Sequence, residues 1–342
     1  MNRPSCTRRV LFAAALATAL PVAVHAQEVN LYTTREAGLI QPLLDAFTTD
    51  TKVKVNSIFI KDGLAERVKA EGTNSPADVL MTVDIGNLMD TVDQGVTQPV
   101  QSEALSGAVP AHLRDPQGNW FALSLRARLV YTSKDRVKDT AITYEALADP
   151  KWKGKICIRS GQHPYNIALT AAYIVHHGAD KAEAWLRGIK ANLARKAAGG
   201  DREVARDILG GICDIGVGNS YYVGLMRSGK GGPEQVKWGD AINVLLPTFE
   251  KGGTHVNVSG AAVARHAPNK ANAVKLLEYL VSNDAQALYA QANFEYPVRP
   301  SAKVDPIIST LGTLKTDTVD LRDVAKARKT ASELMDEVGF DH

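Results

Sequence analysis

The chain has 342 residues, 45% of them hydrophobic and 23% charged, which suffices for a sizeable core and about two domains. Three of its 40 Lys and Arg fall in residues 1–26, which hold no acidic residue, so the remainder carries 37 charges of each sign. A formal net charge of zero gives no reason to expect nucleic acid or an anionic membrane surface as a partner.

Taken in chain order, Arg3, Arg8 and Arg9 precede an apolar run from Val10 to Val24, and "VHA" supplies small residues before Gln27. Residues 1–26 therefore read as an export signal cleaved before Gln27. An uncleaved anchor is the alternative, but the apolar stretch is short and Pro21 interrupts it. "TRRVLF" is loosely similar to a twin-arginine signal, so the export route stays open. "EVNLYTT" predicts a strand and "EAGLIQPLLDAF" an amphipathic helix; "KVKVNSIFI" and "GLAERVKAEG" repeat the pair, as do "ADVLMTVD" and "IGNLMDTVDQG". This alternation predicts a parallel sheet with helices on both faces. The pattern restarts after "KWKG" with "KICIRS", "PYNIALTAAYIVHHG", "CDIGVG" and "SYYVGLMRSG". "NVLLP" and "THVNVSGAAVARHA" read as extended, two helices follow over 269–293, and a last amphipathic helix stops at Gly339. The simplest reading is an α/β fold of two lobes with more than one crossing between them.

Two cysteines remain beyond the leader, Cys157 and Cys213, each in a short apolar run. An even number in an oxidising compartment suits a disulfide, and two buried thiols are the alternative. Their spacing fits no metal motif.

The chemistry gathers at strand-to-helix joints, the edge where open α/β sheets bind ligands. Arg35 follows the first strand. Tyr165 follows "KICIRSGQH", with Pro164 at the favoured first helical position. Tyr221 and Tyr222 follow "CDIGVGNS", where Asn219 or Ser220 can cap. Adjacent helical side chains point about 100° apart, so both tyrosines cannot face an ordinary core. On a first turn they can reach over the helix end into a cleft. Three phenol oxygens meeting at one point make sense as ligands of a hard trivalent cation that displaces their protons. Fe³⁺ fits, with room left for a small bidentate anion held by Arg35, and by Arg126 in "LSLRARLVY". Tyr32, Tyr131 and Tyr173 read as packing, with the cleft wall a second option for Tyr32. His163 reads as a solvated loop residue, and His176 and His177 as cations at a helix end. GxSxG, P-loop, HExxH and dinucleotide fingerprints do not occur, so no enzymatic role is expected.

With these residues in view, the chain resembles the periplasmic ferric-iron-binding proteins of bacterial ABC transporters over nearly its whole mature length. "GNSYYVGL" is the sharpest motif, supported by "LYTTREAGLIQPLLDAF", "SPADVLMTVDIGNL", "LRARLVYTSKDRV", "SGQHPYN" and "YPVRP". The resemblance implies a periplasmic-binding-protein-like fold of the transferrin type, two α/β lobes with a hinge and an interdomain cleft. Its first lobe takes residues 27–127 plus about 252–302, its second about 128–251 plus 303–342. It implies Tyr165, Tyr221 and Tyr222 as ligands of Fe³⁺. Ser160, Asn219, Arg35 and Arg126 fall to a synergistic anion such as carbonate or bicarbonate. It further implies a periplasmic monomer that delivers its cargo to an inner-membrane permease and its ATPase. Two positions depart from the family: Glu36 stands where some members have His, and Val83 where they have Glu. A three-tyrosine shell completed by carbonate is favoured over a His–Glu–Tyr–Tyr shell, with Glu36 or water as a further donor. Within the same fold, a small anion carried alone, or a polyamine or thiamine-like cation, is the alternative cargo.

Overall fold

The computed structural model describes residues 27–342. The export signal assigned to residues 1–26 lies outside the described residues. Among those described, no helix is long and apolar enough to cross a membrane.

Ten strands form a continuous, curled sheet: β1 Glu28–Thr33, β2 Lys54–Phe59, β3 Val79–Thr82, β4 Thr97–Gln98, β5 Phe121–Ser133, β6 Ile156–Cys157, β7 Ile215–Asn219, β8 Ile242–Leu245, β9 Val256–Ala264 and β10 Tyr296–Pro297. Their order is β2-β1-β3-β9-β5-β7-β6, with β10 and β8 also pairing with β5 and β4 with β9. The outer strands run parallel, β1 beside β2 and β3, and β6 beside β7. The centre does not. β9 is antiparallel to β3, and β5 is antiparallel to β9, β7 and β8. The purely parallel sheet expected from the strand–helix alternation is thus corrected to a mixed one. Periodicity reports each strand's existence, whereas direction depends on where a connection returns, and β9 comes back from the far side of the molecule.

β5 is the longest strand, and every one of its thirteen residues is buried. Phe121–Ala127 pair with β9, while Arg128–Thr132 pair with β7. One strand therefore belongs to both halves of the sheet. Its sequence alternates apolar and polar from Leu123 to Leu129, yet the polar face is buried as well, which sets Ser124, Arg126 and Arg128 inside the molecule.

The helices follow local rules. Asp84 caps Ile85–Asp93, its Oδ1 accepting from the Gly86 N–H at 2.8 Å. The helix Leu321–Val338 ends at Gly339, whose φ of 60° is the left-handed conformation a helix stop favours. Two large apolar clusters fill most of the interior, and a smaller third one holds Tyr32 and Leu80. Of the large two, one lies under β1–β3, around Phe47, Trp120 and Leu277, and the other brings Tyr144, Trp185 and Phe249 against Met335 of the last helix. Tyr32, Tyr131 and Tyr173 are buried in packing, as expected. Cys157 on β6 and Cys213 just before β7 form a disulfide, with Cα atoms 5.8 Å apart.

Candidate metal centre

Two parallel neighbours, β6 and β7, each end in a loop that opens a helix at the same edge of the sheet. Pro164 starts the first helix, Pro164–His177. His163 Nδ1 accepts the Tyr165 N–H at 3.2 Å, and the two rings meet edge to face with centroids 4.4 Å apart. His163 is therefore a helix cap packed on a ligand candidate rather than a solvated residue. Burial, then the Arg159 cation, lowers its pKa to about 4.

The second helix, Ser220–Arg227, begins as β7 ends. Ser220 Oγ accepts from the Ala127 N–H of β5 at 3.2 Å. Gly218 leaves the space that the Tyr131 ring fills, since a Cβ there would lie 2.4 Å from it. The Tyr131 hydroxyl donates to the Asn219 carbonyl at 2.7 Å and fixes the turn. From this start Tyr221 and Tyr222 reach the cleft with ring centroids 4.1 Å apart. The Tyr165 and Tyr221 hydroxyls meet at 3.0 Å. Phenols from two separate loops thus converge, as the first-turn placement predicts.

Burial pushes the Tyr221 hydroxyl well above the ordinary phenol range, and neighbouring Tyr165 and Tyr222 push it further. Tyr222 is raised mainly by burial and then by Tyr165. Without a cation both phenols keep their protons, and a metal must displace them. Among the described residues, no three His, Cys, Asp or Glu side chains converge as a metal site. The phenols are accordingly the donor set on offer.

A cleft of about 550 Å³ contains Tyr165, Tyr221 and Tyr222 in its lining, with Arg35, Glu36, Val83 and Arg126 among the residues around them. Arg126 and Arg128 sit two apart on β5 and share a face. Arg126 donates to the Val83 and Val258 carbonyls, leaving its buried Nε without a protein partner. Its guanidinium lies 5.8 Å from the Tyr165 ring centre, and that of Arg159 lies 5.1 Å from it.

Arg35 is at the cleft but already engaged. Its Nη1 donates to Glu295 Oε1 at 2.9 Å, and its Nη2 donates to Glu295 Oε2 at 3.3 Å and to Ser259 Oγ. Burial alone would raise the Glu295 carboxyl, but Arg35 and then Arg126 override it and hold it below the usual range.

Two expected anion contacts, Ser160 and Asn219, are not in the cleft lining. Ser160 Oγ donates to Asp341, which also accepts from the Gly161 N–H at 2.6 Å. Asn219 occupies the cap position of its helix, yet its Oδ1 accepts from Arg128 Nη1 at 3.1 Å and its N–H donates to Asp201 at 2.9 Å. Both act behind the tyrosines, holding the loops that present them. Sequence reasoning missed three charged lining residues, Arg202, Lys230 and Glu295. Arg202 lies in the first turn of the helix Asp201–Leu209, which follows another helix and not a strand, so the strand-to-helix rule does not reach it. Its guanidinium lies 5.8 Å from the Tyr222 ring centre. Glu295 stands immediately before the motif "YPVRP" without any local signal of its role.

The family model described as "Bacterial extracellular solute-binding protein" matches residues 74–315. The chain is 42% identical over 316 residues to "Iron uptake protein A1" of Synechocystis sp., covering 92% of this chain and 88% of that one. Its structure is similar to that of "Bordetella ferric binding protein", with 66% identity, a TM-score of 0.90, and coverage of 92% and 100%. It is likewise similar to a Trichodesmium protein in complex with iron and citrate ligands, with 43% identity, a TM-score of 0.86, and coverage of 92% and 99%.

Proposed function

From its membership of the bacterial extracellular solute-binding protein family, which makes this chain a binding protein and not an enzyme, we propose that it captures Fe³⁺ together with a small anion in the cleft. The observation that carries this reading is the meeting of the Tyr165 and Tyr221 hydroxyls at 3.0 Å, with the Tyr222 ring tilted against that of Tyr221. Three phenolates neutralise a trivalent ion and supply the hard oxygens it prefers. Names of relatives and structural neighbours, iron uptake and ferric binding, point the same way.

Carbonate or bicarbonate would complete the shell beside Arg126 and Arg35. One lobe, residues 27–127 plus about 252–302, brings Arg35. The other, about 128–251 plus 303–342, brings the tyrosines. Closure about β5 and β9 presses the two walls on the ion, and release follows opening, as protons compete for the phenols. The carrier works in the periplasm as a monomer and hands its cargo to an inner-membrane permease driven by an ATPase. Arg35, Arg126, Arg202 and Lys230 would also suit an anion carried alone. Clustered phenols offer such a cargo only neutral O–H donors, and Glu295 opposes it.

The test is to add ferric citrate and bicarbonate to the purified metal-free protein. A red-orange phenolate-to-iron band is expected, and it should be lost in Tyr165→Phe and Tyr221→Phe. A colourless wild-type mixture refutes the reading.

A further inference from the structure

Glu295 is an unusual residue to find at the back of an anion subsite. It is 2% exposed, and its two carboxylate oxygens accept from Arg35 Nη1, Arg35 Nη2, Ser124 Oγ and Ser259 Oγ. The fold builds this contact deliberately. β10 pairs with β5 so that Pro297 faces Ser124, and β9 sets Ser259 opposite Ser124 from the other side. Phe294, the residue before Glu295, is left-handed at φ 57°, a conformation that costs a non-glycine residue about 1 kcal/mol or more. Its ring lies against Gly224 of the tyrosine helix, where a Cβ would come within 2.4 Å of it.

The guanidinium of Arg35 has two edges that can grip an anion with a fork, Nε with Nη2 and Nη1 with Nη2. Both edges need Nη2, whose two N–H groups already serve Glu295 and Ser259. Only Nε–H, which has no protein partner, and one Nη1–H remain, and they point apart. A small oxyanion can take the Nη1–Nη2 fork only by displacing Glu295, and the Nε–Nη2 fork only by displacing Ser259 from a guanidinium whose charge Glu295 already balances. The carboxylate also cancels one of the two buried guanidinium charges, Arg35 and Arg126, that would otherwise face the cleft together.

We propose that Glu295 determines specificity: a built-in carboxylate that occupies Arg35 so that a small anion enters with a trivalent cation and not alone. This rests on the reading that the cleft takes a metal and an anion together. The cation restores the positive charge that Glu295 withdraws, and the anion then outcompetes the resident carboxylate. Without Glu295, the two guanidinium groups form a site for a free oxyanion.

The experiment titrates the metal-free full chain with bicarbonate, and separately with inorganic phosphate, by calorimetry. Glu295→Gln, which keeps the shape and removes the charge, is expected to bind either anion roughly tenfold or more tightly than the wild type. Glu295→Asp keeps the charge but shortens the reach, and should fall between. Thermal unfolding by circular dichroism checks that each variant is folded; if Glu295→Gln is not, Glu295→Asp carries the test. Metal-free anion affinity equal to or below wild type in the folded variants overturns the proposal. The ferric band of the wild type is a separate readout. Its absence beside a gain of anion binding in Glu295→Gln would refute the iron reading and leave the displaced-carboxylate geometry standing.

Discussion

On one wall of the cleft, Tyr165, Tyr221 and Tyr222 project from helix starts with hydroxyls that bond chiefly to one another. On the other, Arg35 and Glu295 are locked in a buried, forked ion pair braced by two serines. The tyrosine wall keeps its oxygen atoms unspent, ready for a ligand that brings charge. The arginine wall has its charges already balanced. A site made of two finished walls would bind nothing, and one made of two unfinished walls would pay a heavy desolvation cost while empty. Under the proposed function, the driving force for binding falls to the phenols and the discrimination to the ion pair.

The first way to break this contrast is to spoil the unspent wall. Tyr221→Phe should lower ferric affinity by roughly a thousandfold or more, beyond the 10–100-fold typical of outer-shell changes. Equilibrium competition with citrate, followed through the visible band, measures it. If binding survives, the phenols are not the donors.

Next in size is the brace beneath that wall. The Cys157–Cys213 bond ties β6 to β7 across a sequence separation of 56 residues. Closing such a loop restricts the unfolded chain by about 4 kcal/mol. Cys157→Ala/Cys213→Ala should therefore lose about that much in denaturant unfolding.

His255 tests the crossing between the walls. It is buried just before β9, and burial lowers its pKa from 6.5 to about 4. The folded state favours the neutral ring, so the unfolded chain binds the extra proton as pH falls below 6.5. Stability carried by this residue is present above pH 6.5 and is lost progressively down to about 4. Between pH 7.5 and 5 the loss is about 2 kcal/mol, to be read from urea midpoints, and His255→Gln should flatten it.

The smallest effect is expected at the seam. Gly224→Ala forces the Phe294 ring to move, at a cost of about 1–2 kcal/mol. Because Phe294 precedes Glu295, the sharper readout is a change in anion preference during ferric binding, with thermal stability moving only a few degrees.

These effects also mark what the sequence could disclose. Tyr165, Tyr221, Tyr222 and Arg35 were legible because a helix start after a strand is a local event, written in a few adjacent residues. Arg202 falls outside that rule, because its helix follows another helix. Ser160 and Asn219 were placed near the right loops but not facing the right partners. Those partners, Asp341 and Arg128, lie 181 and 91 residues away. Glu295 was out of reach for a comparable reason. Its role depends on a two-residue strand, a left-handed Phe294 and serines on two other strands. β5 alternates apolar and polar from Leu123 to Leu129, a local strand signal that was legible; what the sequence hides is that its polar face is buried too.

That strand has a thermodynamic consequence. Its hydrogen bonds pass from β9 to β7 between Ala127 and Arg128 without a break in the backbone. Neither half of the molecule can melt while leaving its neighbour's central strand fully paired. Scanning calorimetry of the metal-free protein should therefore record a single heat-absorption peak, with equal calorimetric and van't Hoff enthalpies, although the chain is large enough for two independent transitions.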